Sequence, residues 1–164
     1  LKVSYNCCKA VEKCQKMPYT RNVNMYFMGE QSMNVLMLLK NKSEVAFVYD
    51  TNTLRQGIEK MHAHGYSAIP VLSKDGSYVG SVSEGDFLWH ILEYRNNDLR
   101  VQENYQVSDI LRKDFNPAVK IDVSMDELLE RSMNQNFIPV VDDRNFFIGI
   151  VTRQDIIRSI LKEL

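Results

Sequence analysis

Two heptapeptides place a hydroxyl and a carboxylate at the same spacing. Residues Gly80 to Asp86 read GSVSEGD, and Gly149 to Asp155 read GIVTRQD. Both have the form Gly-x-Val-(Ser/Thr)-x-x-Asp, so Ser83 precedes Asp86 and Thr152 precedes Asp155 by three positions. A hydroxyl residue followed three positions later by an acid is a helix-capping pattern or close to one. The free N–H groups and positive end of such a helix also suit a phosphate. An ionised carboxylate only accepts hydrogen bonds, and it can receive both hydroxyls of a ribose. Capping and sugar binding are compatible, and the spacing alone does not choose between them.

The elements that would carry these residues also occur twice. Ala68-Ile-Pro-Val-Leu72 and Phe137-Ile-Pro-Val-Val141 stand upstream of the two heptapeptides, each with its proline sixteen residues before the terminal aspartate. Thr53-Leu-Arg-Gln56 and Ser124-Met-Asp-Glu127 both have capping-box form. Leu54, Ile58 and Met61 after the first, and Leu128, Leu129 and Met133 after the second, fall at helical period with one buried face. Gly65 suits the left-handed residue that ends a helix. Each copy therefore reads as a short strand (Val45–Tyr49 or Ala118–Ile121), a capped helix, and a strand (Ala68–Leu72 or Ile138–Val141). A turn, a second strand (Tyr78–Val82 or Phe146–Val151) and a final helix (Glu84 to about Tyr94, or Arg153 to about Lys162) follow. The fold class is α+β, a β-α-β-β-α unit written twice. Short helices at Val107–Leu111 and Val35–Leu39 lead into the copies. The expected organisation is an N-terminal extension at 1–32, a first repeat at 33–95, a polar linker at 96–106 and a second repeat at 107–164. Residues 1–32 match nothing in the repeat and read either as dispensable for function or as an arm for dimer contacts.

The tandem of SAIPV with GSVSEGD and FIPVV with GIVTRQD resembles the cystathionine-β-synthase (CBS) domain pair, or Bateman module, of the stand-alone bacterial type. The resemblance covers about Met33 to Leu164. It implies two CBS repeats packed with pseudo-two-fold symmetry, three-stranded sheets, and frequent pairing of two chains into a flat disc. It also implies an adenosine-type ligand between the repeats: AMP, ADP, ATP, S-adenosylmethionine, NADH or cyclic di-AMP. Each cleft would be crossed, with its ribose aspartate from one repeat and its adenine walls from the other. The main site would comprise Val45, Ala46, Tyr66, Ser67, Ala68 and Pro70 with Thr152, Arg153 and Asp155. Tyr66 would lie beside the base, since stacking on an aromatic contributes roughly 1–3 kcal/mol. A half-buried structural tyrosine is the competing reading. Arg153 would grip a phosphate with its planar fork, unless it is only a solvated helix-surface charge. The second, weaker site would comprise Ser83 and Asp86 with Ala118, Val119, Asn136, Phe137, Ile138 and Pro139. There Glu84 takes the place of Arg153 and repels phosphate, and Gln135 takes the place of Tyr66.

Composition narrows the remaining classes. The chain has 164 residues, 45% hydrophobic and 25% charged, with a net charge of −1. That is the balance of an ordinary soluble globular protein, without the basic excess of a general nucleic-acid binder. The longest apolar run, Val35–Leu39, is far short of a bilayer span, and no signal peptide is visible, so a cytoplasmic location without membrane association is expected. Cys7, Cys8 and Cys14 are odd in number and suit free thiols better than a disulfide scaffold or a metal site. His62 and His64 are two apart and point to different helix faces, so no metal is expected. His90, beside Trp89, suits a core or interface. No nucleophile context or Gly-rich phosphate loop is present, so no catalytic residue is assigned and no enzyme is expected. The expected function is a regulatory sensor, with no required cofactor, an adenine nucleotide as ligand, a homodimer as assembly and an unidentified regulated protein. The competing class is a dimerising interaction module with an empty cleft.

Overall fold

In the computed structural model, described for residues 34–94, 98, 100–112 and 114–163, every element of the twofold reading is present. Residues 1–32, with Cys7, Cys8 and Cys14, lie outside the described residues. Strands β1 (Lys40–Asn41), β2 (Val48–Tyr49), β3 (Ala68–Leu72), β4 (Tyr78–Ser83), β5 (Val119–Lys120), β6 (Phe137–Val141) and β7 (Phe147–Thr152) alternate with helices. The helices are α1 (Val35–Leu38), α2 (Leu54–His64), α3 (Glu84–Glu93), α4 (Val107–Ile110), α5 (Met125–Asn134) and α6 (Arg153–Glu163). Strand and helix ends differ from the sequence reading by a few residues, most at β2 and β5, where Val45–Phe47 and Ala118 lead into the strands without pairing.

Local chemistry sets these boundaries. Thr53 accepts from the Gln56 N–H at 3.2 Å, while the Gln56 side chain accepts from the Thr53 N–H at 3.1 Å, a complete capping box that starts α2. Ser124 starts α5 by accepting from the Glu127 N–H at 3.3 Å. Gly65 ends α2 in the left-handed conformation, at φ 64°. In α5, Leu128 is buried as expected, but Met133 is exposed and Ser132 takes the inner position.

The β3–β4 register pairs Ala68 with Ser83, and the β6–β7 register pairs Phe137 with Thr152, the same alignment in both copies. Both hairpins shift register at the same place, between Val71 and Leu72 and between Val140 and Val141. The first sheet has strand order β2-β3-β4. The second is not three-stranded but four-stranded, in order β1-β7-β6-β5. Its extra strand is β1, which opens the first repeat yet pairs with β7, placing Lys40 opposite Ile150.

The helices cross over in the same way. Val35 of α1 packs in the core of the second repeat with Leu128, Ile138, Val140, Val151 and Ile156. Val107 of α4 packs in the core of the first repeat with Leu54, Ile69, Val71, Val82 and Phe87. Each lead-in thus completes the core of the copy it does not precede, which ties the halves together more firmly than a linker would. A third cluster, Val45, Leu72, Tyr78, Phe137, Val141, Phe147 and Ile150, joins the two sheets. The polar linker is partly built into this body. Residues Val101–Asn104 form a short 3-10 helix with Gln102 buried, and Glu103 pairs with Arg55 at 2.5 Å.

Tyr78 shows how the shared core handles a polar group. Its hydroxyl donates to the Asn116 carbonyl at 2.7 Å and lies 2.8 Å from the Ser81 hydroxyl. Substituting Tyr78→Phe removes this donor and leaves a buried carbonyl unmatched. We expect it to lower unfolding free energy by about 1–3 kcal/mol, read as a shift in denaturant midpoint at unchanged slope.

Candidate functional site: a cleft between the repeats

The chain enters the site through its two lead-ins. The glycine of each repeated heptapeptide is where a lead-in passes over the strand. A Cβ at Gly149 would overlap the Lys40 carbonyl oxygen, with the carbonyl carbon only 3.0 Å away. A Cβ at Gly80 would stand 3.1 Å from the Arg112 carbonyl oxygen and 3.0 Å from Leu111. Arg112 bridges to Ser81 much as Lys40 pairs with Ile150. Close backbone approach of this kind favours glycine. The first residue of the heptapeptide therefore admits a basic residue that reaches its last.

At the second copy, the Lys40 ammonium meets Asp155 Oδ2 at 2.9 Å. Thr152 donates to the same oxygen, and the Asp155 N–H donates to Thr152 Oγ1 at 3.2 Å, which caps α6. Burial alone pushes the Asp155 carboxyl up. The Thr152 hydrogen bond, Lys40 and the nearby Arg158 charge outweigh it and hold the group below the ordinary carboxylate range. A depressed folded-state pKa makes the stabilising pair fully present above the unfolded value and lost only as pH falls through the folded one. Asp155 is therefore anionic at neutral pH and available as an acceptor. The Lys40–Asp155 pair is partly exposed, at 46% and 20%, so its net worth is within about 0–1 kcal/mol. Lys40→Ala is expected to shift thermal unfolding only slightly, which a melting curve will read.

Above this pair lies an open cleft in two connected parts that share Lys40, Asn136 and Thr152. The inner part, about 270 Å³, is walled by Val45, Tyr66, Ser67, Ala68 and Pro70 from the first repeat and by Phe137, Ile150 and Thr152 from the second. The outer part, about 570 Å³, runs along α6 past Arg153, Gln154, Ile157 and Arg158. The inner walls combine the apolar Val45, Ala68, Pro70, Phe137 and Ile150 with Glu44 and Lys40, and the outer ones carry cations, an arrangement suited to a flat base at one end and an anion at the other. Tyr66 is half-buried, with its ring centroid 5.5 Å from that of His64. Arg153 is tethered, since its Nε donates to the Gln135 carbonyl at 3.1 Å.

Seven of the nine expected main-site residues line this cleft; Asp155 does not line it but bonds to Thr152 and Lys40, which do. Ala46 instead packs against the core of the first repeat. Asn136 and Phe137, expected at the second site, line the main cleft. Ala118 packs on the shared core, and Val119, Ile138 and Pro139 are buried. Ser83 and Asp86 at the second site engage Arg112, at 3.2 and 2.8 Å. His62 and His64 are exposed, while His90 is buried between Tyr94 and Tyr105, with both centroids at 4.6 Å. Among the described residues, no cluster of His, Cys, Asp or Glu could hold a metal, and no helix is long and apolar enough to cross a membrane.

Lys40 and Arg112 were missed by sequence reasoning, although a signal exists. Val35-Leu-Met-Leu-Leu-Lys40 and Val107-Ser-Asp-Ile-Leu-Arg112 share a leading valine and an apolar pair followed by a cation.

A pair of matched repeats, exchanging lead-ins across a cleft, defines a tandem-repeat architecture. The CBS domain family matches residues 41–93 and 107–162, and the chain belongs to it. A CBS domain-containing protein from Bacillus anthracis is 29% identical, with 82% of this chain and 96% of that chain covered and a TM-score of 0.73. The CbpB protein of Listeria monocytogenes, solved in complex with c-di-AMP, is 26% identical, covering 78% of this chain and 95% of that one, with a TM-score of 0.70. A Methanocaldococcus jannaschii protein without an assigned function is 27% identical over 156 residues, 77% of this chain and 92% of its own length. The family match covers CBS domains alone and includes no catalytic domain.

Proposed function

We propose that this chain is a regulatory CBS pair that takes an adenine nucleotide in the Asp155 cleft and passes its presence on as a change in the pose of the repeats. One observation carries the reading: Tyr66, Ala68 and Pro70 from one repeat share a hollow with Thr152 of the other, Arg153 lines the adjoining part, and Asp155 is bonded to Thr152. The base would lie against Tyr66 between Ala68 and Pro70. The ribose hydroxyls would donate to Asp155, displacing Lys40, and the phosphate would meet Arg153, Arg158 and the released Lys40. A pocket of a few hundred Å³ is the ordinary size for such a ligand. The relationship to a c-di-AMP-bound protein supports the adenine assignment. AMP, ADP or ATP is the first choice of ligand and cyclic di-AMP the second.

The ligand must contact two arrangements unequally to shift anything. Here it touches both repeats at once, so it favours the arrangement in which they close on it. Exposed apolar residues on α3 (Leu88, Trp89 and Leu92) and α6 (Ile157 and Leu161) support a homodimer as the assembly that reads the change. Trp89 is 67% exposed, a cost that burial against a second chain would remove. Isothermal titration with AMP, ATP and cyclic di-AMP tests the proposal. Saturable heat from at least one is expected. Silence with all three would overturn it and favour the dimerising interaction module.

A further inference from the structure

The two repeated aspartates are held by cations in unequal ways. At Asp155, Lys40 and Thr152 both act on one oxygen, Oδ2. At Asp86, both oxygens are taken. Arg112 Nε reaches Oδ1 at 2.8 Å, and a second Arg112 nitrogen reaches Oδ2 at 3.1 Å. The Ser83 N–H and the Ser83 hydroxyl each donate to Oδ2 at 2.7 Å. The Arg112 guanidinium also lies 3.9 Å from the Phe115 ring centroid. A planar fork that is bidentate to a carboxylate and stacked on a ring is far harder to displace than a lone ammonium on a flexible stem. The Asp86 side chain is 11% exposed, against 20% for Asp155.

We propose that Arg112 is the resident occupant of Asp86 at the second expected site, so that one chain takes one adenine nucleotide and not two; this rests on the nucleotide reading of the Asp155 cleft. With three donors on Oδ2 and Arg112 Nε on Oδ1, a ribose cannot place both hydroxyls on Asp86. Arg112 thereby decides stoichiometry: it is the internal cation that makes a duplicated fold single-sited. Glu84, in the place of Arg153, adds that a cleft opened by removing Arg112 prefers uncharged adenosine to a phosphorylated ligand.

Isothermal titration of the full chain with AMP and with adenosine tests this. Wild type is expected to bind one AMP per chain and Asp155→Ala to bind it roughly a hundredfold more weakly. Arg112→Ala is expected to gain a site for adenosine, and Asp155→Ala/Arg112→Ala to keep that site as its main one. Adding Asp86→Ala should abolish it. Arg112→Met keeps an unbranched apolar stem while removing the guanidinium over Phe115, and should behave as Arg112→Ala, which guards against loss of fold. Two AMP per wild-type chain, or no new adenosine site in either Arg112 variant while wild type binds one AMP, overturns the role of Arg112 and leaves the nucleotide reading standing. A silent wild type with adenosine taken up by Arg112→Ala overturns the nucleotide reading and supports Arg112 as occupant. Silence of every protein overturns both.

Discussion

Asp155→Ala is expected to weaken adenine-nucleotide binding by roughly a hundredfold while leaving the chain folded. Two ribose hydroxyls donating to an ionised carboxylate contribute roughly 1.5–3 kcal/mol each when shielded from water. Asp155 is one-fifth exposed, so a combined loss of about 3 kcal/mol, or about two decades in Kd, is the reasonable size. The folding cost is smaller because what disappears is the Thr152 hydroxyl bond and a partly exposed ion pair. The cap itself stays, since Thr152 still accepts from the residue-155 N–H, so the cost stays within the about 1 kcal/mol of a lost cap. Titration calorimetry beside a denaturant melt separates the two effects. A variant that loses stability and affinity in equal measure would mean that Asp155 is only a cap. Binding should not weaken on mild acidification through Asp155 itself, since its pKa lies below the ordinary value of 3.8 and the carboxylate persists until pH falls through that lower value.

Gly149→Ala is expected to be the most damaging small substitution in the second repeat. The added methyl would run into the Lys40 carbonyl and stand 3.1 Å from Leu39. Neither the carbonyl nor β7 is the loose end of a side chain, so relief requires lifting β1 off the sheet edge. Overpacking of a tight site costs about 1–3 kcal/mol, and the two-residue β1 pairing is lost with it. A function follows the fold here, because β1 carries Lys40 to Asp155. The variant should therefore show a lower melting temperature and an altered nucleotide affinity together, whereas Lys40→Ala alters affinity with little change in melting. Gly80→Ala meets looser neighbours, at 3.0 Å and beyond, but adds backbone strain because Gly80 sits at φ 156°.

These expectations rest on contacts of different legibility. The capped helices α2 and α5 and the hairpins around Pro70 and Pro139 could be read in one dimension, whereas the crossed cleft walls are implied only by the resemblance to the CBS pair. Capping, turn chemistry and period are local, and the second copy repeats the first. The exchange of lead-ins could not. Val35 and Val107 look like ordinary apolar residues of short helices, and nothing local says which core they enter. The same holds for Met133, whose helical period suits the buried face but whose position in α5 turns outward.

The repeated aspartates make the division concrete. By itself, the sequence determined that Ser83 with Asp86 and Thr152 with Asp155 stand at helix starts, because a hydroxyl and an acid three residues apart satisfy the first free N–H groups of a helix wherever that helix lies. Only the tertiary structure decided which cation reaches each carboxylate. Lys40 is 115 positions from Asp155, and Arg112 is 26 from Asp86. Their meetings depend on a backbone crossing that two glycines permit, and no local rule encodes a contact between segments that become neighbours only when two sheets pack.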